Sequence, residues 1–315
     1  MDLAQKAEAH TVASDIPALQ VRNLRRSYGN RFAVDNLDLS VTQGSVYGFL
    51  GPNGAGKTTA MRCILGLIRS DSGEVAIFGE THPVNRRRHV GALVETPRFY
   101  EWLNGEQNLK IAAAYAGVPN SRVAPALERV GLAKRGQDKV AGYSMGMKQR
   151  LGIARALMAD PKLLMLDEPT NGLDPQGMKA MRDLILSLAN EDGLTIFISS
   201  HILKEVEAVA TRVGIIQDGR LIAEGDVGDL LNASGGLQIE VGSPDVSALR
   251  AAILALPGAS VTGEGDHGLI VTLDGLDGAA LNKALVLQDI PVSYLGAGRD
   301  LEDVFLDLTK SQEIS

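Results

Sequence analysis

One segment, Gly51-Pro52-Asn53-Gly54-Ala55-Gly56-Lys57-Thr58, constrains this chain more than any other. It fits the spacing G-x-x-x-x-G-K-[ST] and sits between an apolar run, 45–50, and a helical pattern over 57–68. Small residues let successive backbone N–H groups turn inward on phosphate oxygens. A helix opening at Lys57 brings the equivalent of about half a positive charge to the same point. In such a loop Lys57 reaches the β- and γ-phosphates and the Thr58 hydroxyl ligates Mg²⁺. The expected phosphate-binding set therefore runs from Gly51 through Thr59.

The pattern around this loop alternates strands with helices, which indicates α/β architecture. Strands are expected at 18–24, 33–42 and 45–50, and a turn with a short strand within 71–79. From about 104 to 160 apolar residues recur at three- and four-residue spacing, so this stretch reads as helical. The continuous apolar run 162–166 suits a central parallel strand covered on both faces. Helix 176–190, strand 194–199, helix 201–210 and a hairpin at 213–225 follow. Glycines then gather between 225 and 236, marking a boundary. Beyond it the order is βαββαβ, with strands at 237–241, 258–262, 268–273 and 291–295 and helices at 246–255 and 277–287. A last helix, 300–310, follows.

The apolar strand Leu163-Leu-Met-Leu166 ends in Asp167-Glu168-Pro169. Two acids at a strand terminus, about 110 residues after a phosphate loop, suit a second half of the same site. Asp167 is expected to hold Mg²⁺, directly or through water, and Glu168 to orient and polarise an attacking water.

Composition narrows the class further. With 31 Lys and Arg against 38 Asp and Glu the formal net charge is −7, which argues against a nucleic acid partner gripped along the chain. No apolar run approaches the roughly 20 residues needed to cross a bilayer. The stretch 1–17 reads as a flexible tail without the apolar core of a signal peptide. Cys63 is the single cysteine, expected as a small buried residue on a helix, and a reducing, cytoplasmic setting is expected. Arg86, Arg87 and Arg88 read as a solvated helix face.

Further motifs carry a resemblance. Tyr143-Ser144-Met145-Gly146-Met147-Lys148-Gln149-Arg150 resembles the signature segment of ABC-type ATPases, whose common form is LSGGQ. Asn171-Gly172-Leu173-Asp174 resembles the D-loop, His201 the switch histidine, and Tyr28 the aromatic that stacks on adenine. The GALVETPRFY segment, the Met-Lys-Gln signature and the end Leu301-Glu-Asp-Val-Phe305-Leu resemble the bacitracin-resistance and antibiotic-exporter type of ATP-binding subunit. The resemblance implies a P-loop ABC-type nucleotide-binding domain over 18–230, with a helical subdomain at about 98–160. A small α+β, ferredoxin-like accessory domain would cover 237–315. It implies Mg²⁺-dependent ATP hydrolysis in which Lys57, Glu168 and His201 are catalytic.

The same resemblance implies a head-to-tail pair of two copies. Ser144 and Gly146 of one copy then contact the γ-phosphate held by the other's Lys57, with Asp174 close by. Two departures from the family pattern are plain. Glu95 stands where the family carries a glutamine that contacts nucleotide and Mg²⁺. Met145 and Met147 replace the usual Gly and Gln of the signature. A separate multi-span membrane permease is the implied partner, docked near Phe99, Tyr100 and Trp102 at the cytoplasmic face of the cell membrane. The chain has one Trp, six Tyr and six Phe, so three within four positions form a cluster. That cluster suits an interface or, alternatively, the core of the helical subdomain. Export of an antibiotic, peptide or drug is the implied task. The rival readings are an ABC-type ATPase of DNA repair or translation, and a non-catalytic nucleotide-gated immunity module that sequesters a drug.

Overall fold

The computed structural model describes residues 16–232 and 237–313. Nearly all of the expected N-terminal tail lies outside them. Packing divides the chain into two compact units, Met1–Glu224 and Gly225–Ser315.

The first unit carries strands β1 (Leu19–Tyr28), β2 (Arg31–Val41), β3 (Val46–Leu50), β4 (Ser72–Ile77), β5 (Val90–Leu93), β6 (Leu163–Asp167), β7 (Thr195–Ser200), β8 (Arg212–Gln217) and β9 (Arg220–Asp226). They form a three-stranded antiparallel sheet, β2-β1-β4, and a six-stranded sheet, β5-β6-β7-β3-β8-β9. In the larger sheet β5, β6, β7, β3 and β8 run parallel.

Side-chain alternation explains why the central strands are apolar throughout. Leu164 and Leu166 of β6, with Ile196 and Ile198 of β7, face the helices Gly105–Ala116, Val123–Arg129, Met145–Leu157 and Pro175–Asn190. Leu163, Met165 and Phe197 face the other way, into a core shared with the three-stranded sheet and the helix Lys57–Ile64. Phe197 stacks there on Tyr47 at 5.3 Å, and all three central aromatics, Tyr47, Phe49 and Phe197, are fully buried. A strand covered on both faces has no polar side to show, which is the reason for the unbroken run LLMLD.

The second unit has strands β10 (Leu237–Gly242), β11 (Ala259–Glu264), β12 (Leu269–Leu273) and β13 (Tyr294–Ala297) and helices Val246–Leu254 and Gly278–Leu287. Its sheet runs β11-β12-β10-β13 with every pair antiparallel, the order of a split βαβ arrangement. Ile239, Val241, Val271 and Leu273 meet Leu249, Ile253, Leu281 and Leu285 in its own core. Asp245 and Asp277 cap the two helices, each accepting from the backbone three residues on.

Several sequence expectations shift. The last strand lies at Tyr294–Ala297 rather than 291–295, because the apolar Val292 packs on the core as loop. The helix expected over 201–210 is only Leu203–Glu207. Arg86 does not share a solvated face with Arg87 and Arg88. It is buried, donates to the Val75 carbonyl at 3.2 Å, and burial lowers its pKa. Cys63 is buried as expected, and burial pushes its thiol up to about 11.

The two sheets of the first unit are tied by Asp35. This residue of β2 is nearly fully buried and pairs with Arg220 of β9 at 2.6 Å and Arg25 of β1 at 3.0 Å. Its amide also donates to the Gly219 carbonyl at 2.8 Å. Hydrogen bonds from Arg220 hold the Asp35 carboxyl below its usual range. A depressed native pKa means stability that is present above the ordinary carboxylate range and lost as pH falls through the native value. Asp35→Asn is therefore expected to lower the melting temperature at pH 7. The gap to wild type should begin to narrow as pH falls below about 4, and close once pH passes the depressed native value and Asp35 is itself protonated. Thermal unfolding at several pH values checks this, and a gap independent of pH contradicts it.

Candidate functional site

The site forms where β3, β6 and β7 end side by side. In an open parallel sheet the crevice beyond the carboxyl ends of the strands is where ligands are held. β3 delivers Leu50 into the glycine-rich loop, and the helix Lys57–Ile64 leaves from it. Gly56 caps that helix with φ of 106°, and a Cβ there would run into the Ala33 carbonyl oxygen. Only glycine suits both the backbone and the space.

Lys57 is almost fully buried. Its ammonium donates to the carbonyl oxygens of Gly51 at 2.7 Å and Pro52 at 3.2 Å, and lies 3.2 Å from Glu168 Oε1. A buried ammonium is held by such partners because its desolvation is otherwise costly. The Thr58 hydroxyl donates to Asp167 Oδ2 at 2.8 Å. On the other side of Asp167, Ser199 Oγ donates to Oδ1 at 2.5 Å.

Glu168 follows the last residue of β6 with φ of 48°, in the left-handed region, a conformation worth about 1–3 kcal/mol of strain for a residue with a side chain. Its amide donates to Ser199 Oγ at 3.1 Å and to the Ser199 carbonyl at 3.2 Å. These bonds hold the turn that lets its carboxylate leave the strand and meet Lys57 on one oxygen. His201 Nδ1 lies 2.6 Å from the other oxygen, Oε2. Glu168 is thus held on both oxygens, and a donor at Nδ1 leaves Nε2 of His201 for another partner.

Tyr28, Asn53, Gly54, Gly56, Lys57, Thr58, Thr59 and Glu168 line one cleft of about 500 Å³. Gly51 and Pro52 serve it through the carbonyls that hold Lys57, while Ala55 packs into the core. Arg31 and Ala33 also line the cleft and carry no sequence motif of their own, and Asn171, the first residue of the D-loop-like segment, lines it as well. Ser199 was hidden within an apolar strand; the signal for it is its register opposite Asp167.

Ser144, Gly146 and Asp174 line a different cleft of about 430 Å³, which shares no lining residue with the first. Two helices open onto it. Ser144 caps Met145–Leu157, accepting from the Met147 amide at 3.3 Å. Asp174 caps Pro175–Asn190, accepting from the Gly177 amide at 2.9 Å. Capped helix starts present backbone N–H groups and a favourable dipole to an anion.

Glu95 stands apart from both. Its backbone has φ of 68°, and its largely exposed carboxylate pairs with Arg62 on the phosphate-loop helix rather than with Thr58 or Asp167. The extra negative charge thus has a cation of its own.

Comparison with known proteins agrees with this geometry. The ABC transporter family model matches residues 34–171. The chain is 50% identical over 210 residues to the bacitracin transport ATP-binding protein BcrA of Bacillus licheniformis, covering 65% of this chain and 69% of that one. It is 40% identical over 303 residues to the ABC transporter ATP-binding protein YdbJ of Bacillus subtilis, covering 94% of this chain and 97% of that one. A solved ATP-binding subunit of an ABC transporter superposes with a TM-score of 0.60 at 31% identity, covering 69% of this chain and 93% of that one. The chain belongs to the ABC transporter family, as one of its ATP-binding subunits.

Proposed function

We propose that this subunit hydrolyses ATP between two head-to-tail copies and so powers a separate membrane permease that exports an antibiotic, peptide or drug. The observation that carries the reading is the division of the machinery. Lys57, Thr58, Asp167, Glu168 and His201 meet at one cleft, while Ser144, Gly146 and Asp174 meet at another. A second copy supplies to each cleft what its own chain keeps elsewhere. The export reading also draws on the likeness to a bacitracin transport protein.

In the first cleft Tyr28 meets adenine and the loop amides meet the phosphates. Lys57 exchanges Glu168 for the β- and γ-phosphates. Freed from that ion pair, Glu168 accepts a hydrogen bond from the attacking water and is kept in place by His201. Ser144 and Gly146 of the other copy close on the γ-phosphate. Its loss removes those contacts and shifts the pair toward release.

The hydroxyl of Thr58 and the carboxylate of Asp167, 2.8 Å apart, are hard oxygen donors of the kind that suits Mg²⁺. Once bound, Mg²⁺ neutralises charge on the β- and γ-phosphate oxygens.

Permease docking is supported by the surface around the aromatic cluster. Trp102 is 69% exposed and Tyr100 44% exposed, their rings 5.3 Å apart. Buried Asn108 pins this loop: it accepts from the Tyr100 amide at 2.8 Å and donates to the Tyr100 carbonyl at 3.0 Å. Beside it a groove of about 380 Å³ is lined by Arg98, Phe99, Tyr115 and Arg155. Phe99 packs on the helical core while its neighbours stay outside, so the cluster is mostly surface. Among the described residues no helix is long and apolar enough to cross a membrane; in the proposed assembly the permease supplies the spanning part. The partner places this chain peripherally, at the cytoplasmic face.

Two outcomes follow. Glu168→Gln should lower ATP turnover by about 10²–10⁴-fold while nucleotide binding persists. Paired turnover and binding assays decide this, and near-normal turnover contradicts the role. Trp102→Ala should leave the isolated subunit's ATPase unchanged and weaken its co-purification with the permease. Intact assembly and intact transport-coupled ATPase would remove Trp102 from the interface.

A further inference from the structure

Tyr28 ends β1 at the mouth of the nucleotide cleft, opposite Arg31 across a tight turn, and is half-exposed. A ring in that position has little of its own to fix its angle. Its support comes from behind. Arg26, two residues earlier on the strand, lays its guanidinium carbon 4.7 Å from the centre of the Tyr28 ring. Residues two apart on a strand share a face, so this stacking follows from the strand itself.

Arg26 is in turn anchored. Its Nη1 donates to Asp71 Oδ1 at 3.1 Å, and its Nε is buried with no acceptor among the described residues. Asp71 is fastened to the same strand from three directions. Its Oδ2 accepts from the Ser27 amide at 2.7 Å and the Ser27 hydroxyl at 2.6 Å, and its own amide donates to the Arg25 carbonyl at 2.8 Å. The hydrogen bonds from Ser27 hold its carboxyl below the usual range, so it stays charged opposite Arg26.

We infer that Arg26 and Asp71 are positioning residues of the base site: they clamp the Tyr28 ring from its rear face so that its other face receives the purine. This rests on the reading that Tyr28 meets adenine. A ring already immobilised loses less freedom when the base stacks on it, and the contact of Arg26 with the ring is attractive in itself. The benefit should be confined to ligands that carry a base. Affinity for the triphosphate alone depends on the loop, Lys57 and the helix start, whereas Arg26 makes its ring contact with Tyr28 and its hydrogen bond with Asp71.

The test uses the full chain and two ligands, ATP and inorganic tripolyphosphate, each with Mg²⁺. Arg26→Met keeps the length of the side chain and removes the cation. It should weaken ATP about three- to ten-fold and change tripolyphosphate less than about twofold. Asp71→Asn should shift ATP in the same direction, and Arg26→Lys should restore part of the loss. In a Tyr28→Ala background Arg26→Met should have no further effect on ATP. Quenching of an etheno-adenine triphosphate, a fluorescent reporter of base stacking, should fall in Arg26→Met.

The contrary outcomes are separable. Equal weakening of both ligands would mean that the cluster only staples the hairpin, and the inference falls. If Tyr28→Ala weakens ATP while Arg26→Met does not, the clamp is wrong and the base site stands. If Tyr28→Ala leaves ATP affinity unchanged, the base site itself is misplaced and the clamp falls with it.

Discussion

A buried ammonium organises the first unit of this protein. Lys57 sits almost fully out of water at the edge of three strand ends, and it is tolerable there only because two loop carbonyls and the Glu168 carboxylate receive it. That requirement fixes the loop in the shape that brings Gly51 and Pro52 under the lysine. It also demands that β6 and β3 end at the same level, which the parallel register through β7 provides. The apolar strands, the aromatic core around Phe197 and the Gly56 cap serve one end: holding a cation and two carboxylates within reach of one another in a cleft.

A second consequence concerns incompleteness. The helix starts capped by Ser144 and Asp174 open on a cleft that shares no residue with the one holding Lys57. On the proposed reading a monomer carries two half-sites. Complementary halves on one surface are the condition for head-to-tail pairing of identical chains, where one contact repeated twice closes the assembly. The charge at Glu95 fits the same economy: its pairing with Arg62 keeps that carboxylate compensated outside the cleft.

Much of this was legible in the residues. The glycine-rich loop is local chemistry, and the apolar run before Asp167 suited a strand covered on both faces, which it is. Features set by contact across the sheet were not legible. Ser199 gains its place from register alone, lying opposite Asp167 on a neighbouring strand. Arg62 lies 33 positions from Glu95 in a helix pattern that gives no hint of its partner. Arg86 belongs to a run of three arginines that looks uniformly solvated, yet a short helix turns it inward onto Val75. Local pattern predicts elements; it does not say which faces of two elements meet.

The account stands on ATP joining two copies of this chain. The direct measurement is the mass in solution, by light scattering or sedimentation, of the Glu168→Gln variant with saturating ATP and Mg²⁺. Slow hydrolysis should trap the closed pair, giving twice the monomer mass with ATP and the monomer mass with ADP. A variant that binds ATP and still remains monomeric would contradict the account.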